Sequence, residues 1–158
     1  MTNAQILYQD EILKYGRQPN NRGVLADANL QLQGDSPICG DHLRLYLRVD
    51  AGRVQAVSFS SSACCALCMA SASMMTDAIK GLSIAGARAL REQFPAMVAG
   101  DVDAGERLQT PQLAGLRVFE RIRDVPSRTE CVSLSWNTLG TLLSTAHIAR
   151  SNIAELAE

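Results

Sequence analysis

The segment from His42 to Asp50, HLRLYLRVD, sets Leu43, Leu45, Leu47 and Val49 at every second position. That period lines one face of an extended chain with apolar side chains and predicts a strand with a single buried face. Ala51-Gly52 supplies a turn, and Val54 to Ser60 resumes in β-type residues, so the pair predicts an antiparallel hairpin under helices. Upstream, residues 17–37 are rich in Asn, Gly, Asp and Pro and predict an irregular connection with a short strand over 30–32.

Elsewhere the apolar spacing is helical. Thr2 and Gln5 form a capping-box pattern before Ile6, Leu7, Ile12 and Leu13, with Gly16 as the expected end of a first helix. Residues 66–80 are a run of small and methionine residues closed by Gly81, and Ser83 opens a further helix that Pro95 is expected to bend or break. Leu113, Leu116, Phe119 and Ile122 mark an amphipathic helix stopped near Pro126, and a last helix runs from Thr129 toward Arg150. The fold class that results is α+β, a small antiparallel sheet packed against helices. At 158 residues the chain is expected to form one domain, 1–158.

Composition narrows the functions. With 47% hydrophobic and 20% charged residues the chain is of ordinary globular type. A formal net charge of -1 provides no field for nucleic acid or an anionic membrane, so neither is expected as a partner. All basic residues but Lys14 and Lys80 are Arg, which suits directional contacts to acidic groups on a protein partner. The first residues carry acids and no long apolar core, and Ala63 to Ala70, the longest apolar stretch, is too short to span a bilayer. A cytoplasmic protein is expected. Five cysteines are an odd number, and in a reducing compartment they point to metal or sulfur chemistry rather than a disulfide framework.

Those cysteines fall at junctions. Cys39-Gly40-Asp41 stands where the loop enters the strong strand, Cys64 and Cys65 where the second strand gives way to a helix, and Cys131 at the start of the final helix. Helix starts are expected to ease thiol deprotonation through unpaired N–H groups and the positive end of the dipole. Three thiolates and one carboxylate satisfy tetrahedral zinc, and iron-sulfur ligation is electrically similar. Such a site carries excess negative charge, and Arg128, three residues before Cys131, is a candidate to face it or an acidic partner. By spacing alone the alternative is that all five cysteines are inert packed residues.

Four strings settle the weight: QPNNRG at 18–23, PICGD at 37–41, ASASMMTDAIKG at 70–81 and VPSRTECVSLSW at 125–136. Together, in this order, they resemble the SufU branch of the SufU/IscU-type (NifU N-terminal-like) iron-sulfur assembly proteins. The resemblance implies an α+β domain with one exposed metal site whose ligands are Cys39, Asp41, Cys65 and Cys131. It implies Zn(2+) and a sulfurtransferase role, in which persulfide sulfur is taken from a SufS-like cysteine desulfurase and passed to downstream assembly machinery. Two alternatives are a scaffold that binds iron and builds a [2Fe-2S] cluster, as in the IscU branch, and a structural zinc module that docks to and activates the desulfurase. IscU-like chains place His before the last cysteine, where this chain has Glu130.

The chain departs from that pattern in places. Cys64 stands where the family has glycine, and the distance from Phe59 to Cys65 is one residue longer, so Cys64 is a rival ligand. Counting back from Ala70-Ser71-Ala72-Ser73 favours Cys65. Cys68 replaces a small polar residue and is expected to be packed within the helix. His42 and His147 are expected to be surface residues, Met74 and Met75 core filler, and Ser71 and Ser73 sites of close helix packing. Cys39, between Pro37 and the pliable Gly40, is the ligand best able to leave, and both this and the resemblance make it the sulfur-accepting residue.

Overall fold

A computed structural model describes residues 10–37, 40–100, 103 and 114–157. In order these form helix α1 (Asp10–Arg17), strands β1 (Leu30–Asp35), β2 (His42–Asp50) and β3 (Arg53–Ala63), helices α2 (Ala66–Ile79) and α3 (Ile84–Val98), two 3₁₀ segments (Ala114–Asp124 and Pro126–Arg128), and helix α4 (Thr129–Ala157). The strands form one antiparallel sheet in the order β1-β2-β3. Helices pack against it, the α+β architecture expected from the period-two and period-3.6 segments.

The period-two face is the core face. Leu43, Leu45 and Leu47 of β2 are buried with Val57 and Phe59 of β3, and the register sets Leu45 opposite Leu32 and Phe59. β3 runs three residues beyond the expected Ser60, to Ala63, and is irregular there. Two steps along β2, from His42 to Arg44, face three along β3, from Ala63 back to Ser60. A β-bulge thus takes up one additional residue shortly before Cys64 and Cys65.

Helix α2 is buried from Leu67 to Ile79 on nearly every side, including Met74 and Met75, which explains its small and flexible side chains. It packs on α1, α4 and β3. Gly16 lies inside α1 rather than ending it, and a Cβ there would stand 3.0 Å from the Ala66 carbonyl oxygen. The absent side chain is what lets α1 approach the start of α2.

Two further expectations need correction. Pro95 does not break its helix, which continues to Val98. Pro95 forfeits one backbone hydrogen bond within the last turn, where buried Phe94, Met97 and Val98 hold the segment in place. The stretch around Leu116, Phe119 and Ile122 is 3₁₀ rather than α-helical, and its spacing of three matches the 3₁₀ repeat, which stacks i and i+3 on one side. All three are buried. Thr2, Gln5, Ile6, Leu7 and Leu113 lie outside the described residues. No helix among the described residues is long and apolar enough to cross a membrane.

Candidate metal centre

The centre is assembled where three chain segments meet. Before β2 the chain turns back on itself: Ser36 N–H donates to the Asp41 carbonyl and Gly40 N–H to that of Ser36, each at 2.9 Å. Gly40 has φ +75° with open space around a notional Cβ, a conformation that favours glycine. Asp41 is thereby turned inward and is only 8% exposed. Its Oδ1 accepts the Cys65 backbone N–H at 3.3 Å, so the carboxylate serves one of the open donors at the start of α2. Its Oδ2 is buried without a hydrogen-bond partner among the described residues.

Cys65 is the residue immediately preceding α2, in extended conformation, and is half-buried. Cys131, in the first turn of α4, is 1% exposed. A carboxylate oxygen of Asp41 and the Sγ atoms of Cys65 and Cys131 all lie within 4.8 Å of one another. Two sulfurs and an oxygen that converge in this way, one carboxylate oxygen being buried and unpaired, form a donor set suited to zinc or to iron. Cys39, the remaining expected ligand, lies outside the described residues.

The expected easing of thiol deprotonation at the helix start is outweighed. Burial pushes the Cys65 thiol above the ordinary thiol range, although the Cys68 backbone N–H pulls it down; the hydrogen bond and charge of Asp41 add to the rise, and a hydrogen bond with Cys131 works against it. The helix-start effect is present, but desolvation is larger.

The remaining cysteines also need correction. Cys64 and Cys68 are joined in a disulfide, with Cα atoms 5.6 Å apart, against the expectation that the chain would hold none. Their separation of four residues brings them to one side at the start of α2. Cys68 is fully buried, as expected for a packed residue, and also bonded. These two sulfurs likewise stand within 4.8 Å of an Asp41 carboxylate oxygen. Asp41 therefore faces two sulfur pairs. His42 is half-buried and its Nε2 is 2.8 Å from Ser62 Oγ, in neither group. Arg128 is exposed, at the end of the 3₁₀ segment before α4.

The motif strings turn out to be the scaffold of the centre. Asn20 and Asn21 of QPNNRG donate side-chain hydrogen bonds to the Asp77 carboxylate at 2.7 and 2.8 Å, and Asn20 N–H donates to Ser73 Oγ at 2.7 Å. On its other side the loop exchanges backbone hydrogen bonds with Phe59, so it fastens α2 to β3. Ser71 Oγ, fully buried, donates to the Val132 carbonyl at 2.6 Å and accepts from Trp136 Nε1 at 3.1 Å. This bridge sets α4 against α2 one residue from Cys131. The sequence marks Ser71 as a small packing residue; a serine within a buried apolar helix was the available sign that its hydroxyl must have partners.

Comparison with known proteins agrees. A family model described as the NifU-like N terminal domain matches residues 7–132, which include every cysteine and Asp41. The zinc-dependent sulfurtransferase SufU of Bacillus subtilis (strain 168) is 34% identical over 137 residues, 87% of this chain and 89% of its own. The iron-sulfur cluster assembly scaffold protein IscU of Thermotoga maritima is 31% identical over 135 residues, 85% of this chain and 91% of its own. The crystal structure of a nitrogen-fixing NifU-like protein (N-terminal) from Brucella abortus superposes with a TM-score of 0.79 at 23% identity, covering 90% of this chain and 96% of that one, a likeness of fold. The sheet, the convergent sulfur and carboxylate groups and these matches have one conclusion: the chain belongs to the NifU-like N-terminal domain family.

Proposed function

We propose that this protein serves iron-sulfur cluster assembly as a zinc-dependent sulfur acceptor, taking persulfide sulfur from a SufS-like cysteine desulfurase and passing it to downstream assembly machinery in the cytoplasm. The observation that carries the reading is the convergence of Cys65, Cys131 and the half-satisfied carboxylate of Asp41. Similarity over 87% of the chain to a zinc-dependent sulfurtransferase supports it.

Cys65, Cys131 and Asp41, with Cys39, would hold the ion. Bound zinc supplies Lewis-acid charge that keeps the ligating thiols deprotonated near neutral pH. Cys65 and Asp41 are mutually held through the Cys65 N–H, and Cys131 sits in a helix tied to α2 by Ser71. Cys39 directly precedes Gly40 in the sequence, a residue with φ +75°, and is the residue assigned to leave the site and attack the outer sulfur of the desulfurase persulfide. The S–S bond of the donor breaks as that of Cys39 forms, and the desulfurase recovers its thiol. Arg128, exposed beside the centre's third segment, is assigned to meet an acidic partner surface.

A second reading, assembly of a [2Fe-2S] cluster on the same donors, is supported by the similarity to an IscU scaffold protein. Metal analysis after anaerobic purification, followed by peptide mapping after desulfurase turnover, tests both. Sulfur transfer predicts stoichiometric zinc, no visible absorbance, and persulfide on Cys39 that is lost in Cys39→Ser while part of the zinc remains. A coloured iron species supports the scaffold, and persulfide elsewhere with Cys39 unmodified refutes the residue assignment.

A further inference from the structure

We propose that Cys64 and Cys68 are a dithiol–disulfide couple that takes sulfane sulfur from the acceptor cysteine and releases it as hydrosulfide. The inference rests on the sulfur-acceptor reading above and extends it from carrying sulfur to reducing it.

Three observations carry it. Both sulfurs and an Asp41 carboxylate oxygen lie within 4.8 Å of one another, and Asp41 has the same relation to Cys65 and Cys131. The disulfide therefore borders the metal centre. Secondly, the two cysteines differ in access: Cys64 is half-buried in the link between β3 and α2, whereas Cys68 is sealed in the first turn of α2. That asymmetry suits one sulfur that receives and one that resolves. Thirdly, the bond is not needed to anchor α2. It closes a very short loop, where a cross-link restrains the unfolded chain least. Ser71, Ser73 and Asp77 already fasten the helix to Val132, Asn20 and Asn21.

The chemistry balances in two exchanges. The Cys64 sulfur attacks the outer sulfur of the acceptor's persulfide; the Cys64–sulfane bond forms, the acceptor's S–S bond breaks, and the Cys64 proton passes to the acceptor thiol. The Cys68 sulfur then attacks Cys64, forming the Cys64–Cys68 bond of the structure and expelling the sulfane sulfur, which takes the Cys68 proton. Two thiols are oxidised to one disulfide while the sulfane sulfur gains two electrons. A dithiol reductant, of protein or small-molecule class, must reopen the bond for another turn.

The test uses the full chain, reduced, loaded with zinc, freed of reductant and kept anaerobic, and then given one equivalent of glutathione persulfide. Hydrosulfide is trapped and quantified, and peptides are mapped. The reduced wild-type chain should release close to one equivalent of hydrosulfide as the Cys64–Cys68 disulfide forms in equal amount. Cys68→Ala should retain persulfide on Cys64, and Cys64→Ser should retain it on the acceptor; zinc content and melting are recorded for each. Hydrosulfide from wild type no greater than from the Cys64→Ser/Cys68→Ala chain overturns the couple. If that double variant still carries persulfide, acceptance of sulfur stands and only the couple falls. If no chain acquires persulfide or releases hydrosulfide, both readings fall together.

Discussion

Asp41 Oδ1 accepts the backbone N–H of Cys65 at 3.3 Å across 24 residues of chain, while Asp41 Oδ2 lies buried without a hydrogen-bond partner among the described residues. One oxygen serves a helix start and the other is open, so under the proposed function a single side chain would both position a sulfur donor and complete its donor set.

Removal of Cys65 or Cys131 is therefore expected to abolish stoichiometric zinc and to lower the melting temperature, because metal binding free energy is folding free energy. Asp41→Ala should keep the fold but weaken zinc by more than the roughly 10–100-fold typical of losing an outer-shell partner. Chelator competition measures this. Parental zinc affinity in Asp41→Ala would remove the carboxylate from the ligand set.

The raised Cys65 thiol has opposite consequences with and without metal. In the metal-free chain the folded-state pKa exceeds the unfolded one, so the protonated thiol's contribution is complete below the unfolded value, near ~8.5, and is lost as pH rises through the raised value. Urea unfolding of the metal-free chain should show stability falling as pH rises above about 8.5. Zinc affinity should climb over neutral to alkaline pH, by about tenfold per unit for each proton displaced. A zinc affinity independent of pH from 6 to about 8 would exclude ligation by a thiol protonated at neutral pH.

Ser71→Ala strips the Val132 carbonyl and Trp136 Nε1 of a buried partner at once. Trp136 Nε1 left unpaired costs about 1–3 kcal/mol, whereas the Val132 carbonyl, inside α4, keeps its helical partner. Urea denaturation should show the loss, and zinc should be bound more weakly because Val132 adjoins Cys131. Trp136 is stacked on Phe94 with ring centroids 4.2 Å apart, so its fluorescence offers an independent probe. Stability unchanged within error would mean that the serine hydroxyl is dispensable.

Gly34 of β1 faces Thr138 of α4 so closely that a Cβ would collide with Thr138 Oγ1. Gly34→Ala should destabilise the fold by about 1–3 kcal/mol through overpacking. Thr138→Ala in the same chain should recover part of that, and a double-mutant cycle by thermal unfolding measures the coupling. Additive effects would show that strand and helix do not meet there.

Much of this protein was legible locally. The alternation from Leu43 to Val49 determined β2 and its buried face, because side-chain direction in a strand follows position alone. Ser83 was legible as a helix cap, and its hydroxyl accepts the Gly86 N–H at 3.0 Å, since capping depends on a few neighbouring residues. The motif strings identified the family, and they nominated Asp41, Cys65 and Cys131 together with Cys39. Other features were decided only in three dimensions. Leu116, Phe119 and Ile122 fit a loose helical period and a 3₁₀ one alike, and packing chose between them. The raised thiol of Cys65 required knowledge of how deeply the fold buries it and of its approach to Asp41, quantities no local spacing contains. Cys64 and Cys68 offered a spacing of four, yet Cys64 precedes the helix, and only the course of the chain from β3 into α2 brings its sulfur onto Cys68. Sequence lists the chemical groups; the distances among groups far apart in the chain, which decide their chemistry, arise only when the sheet and helices close around them.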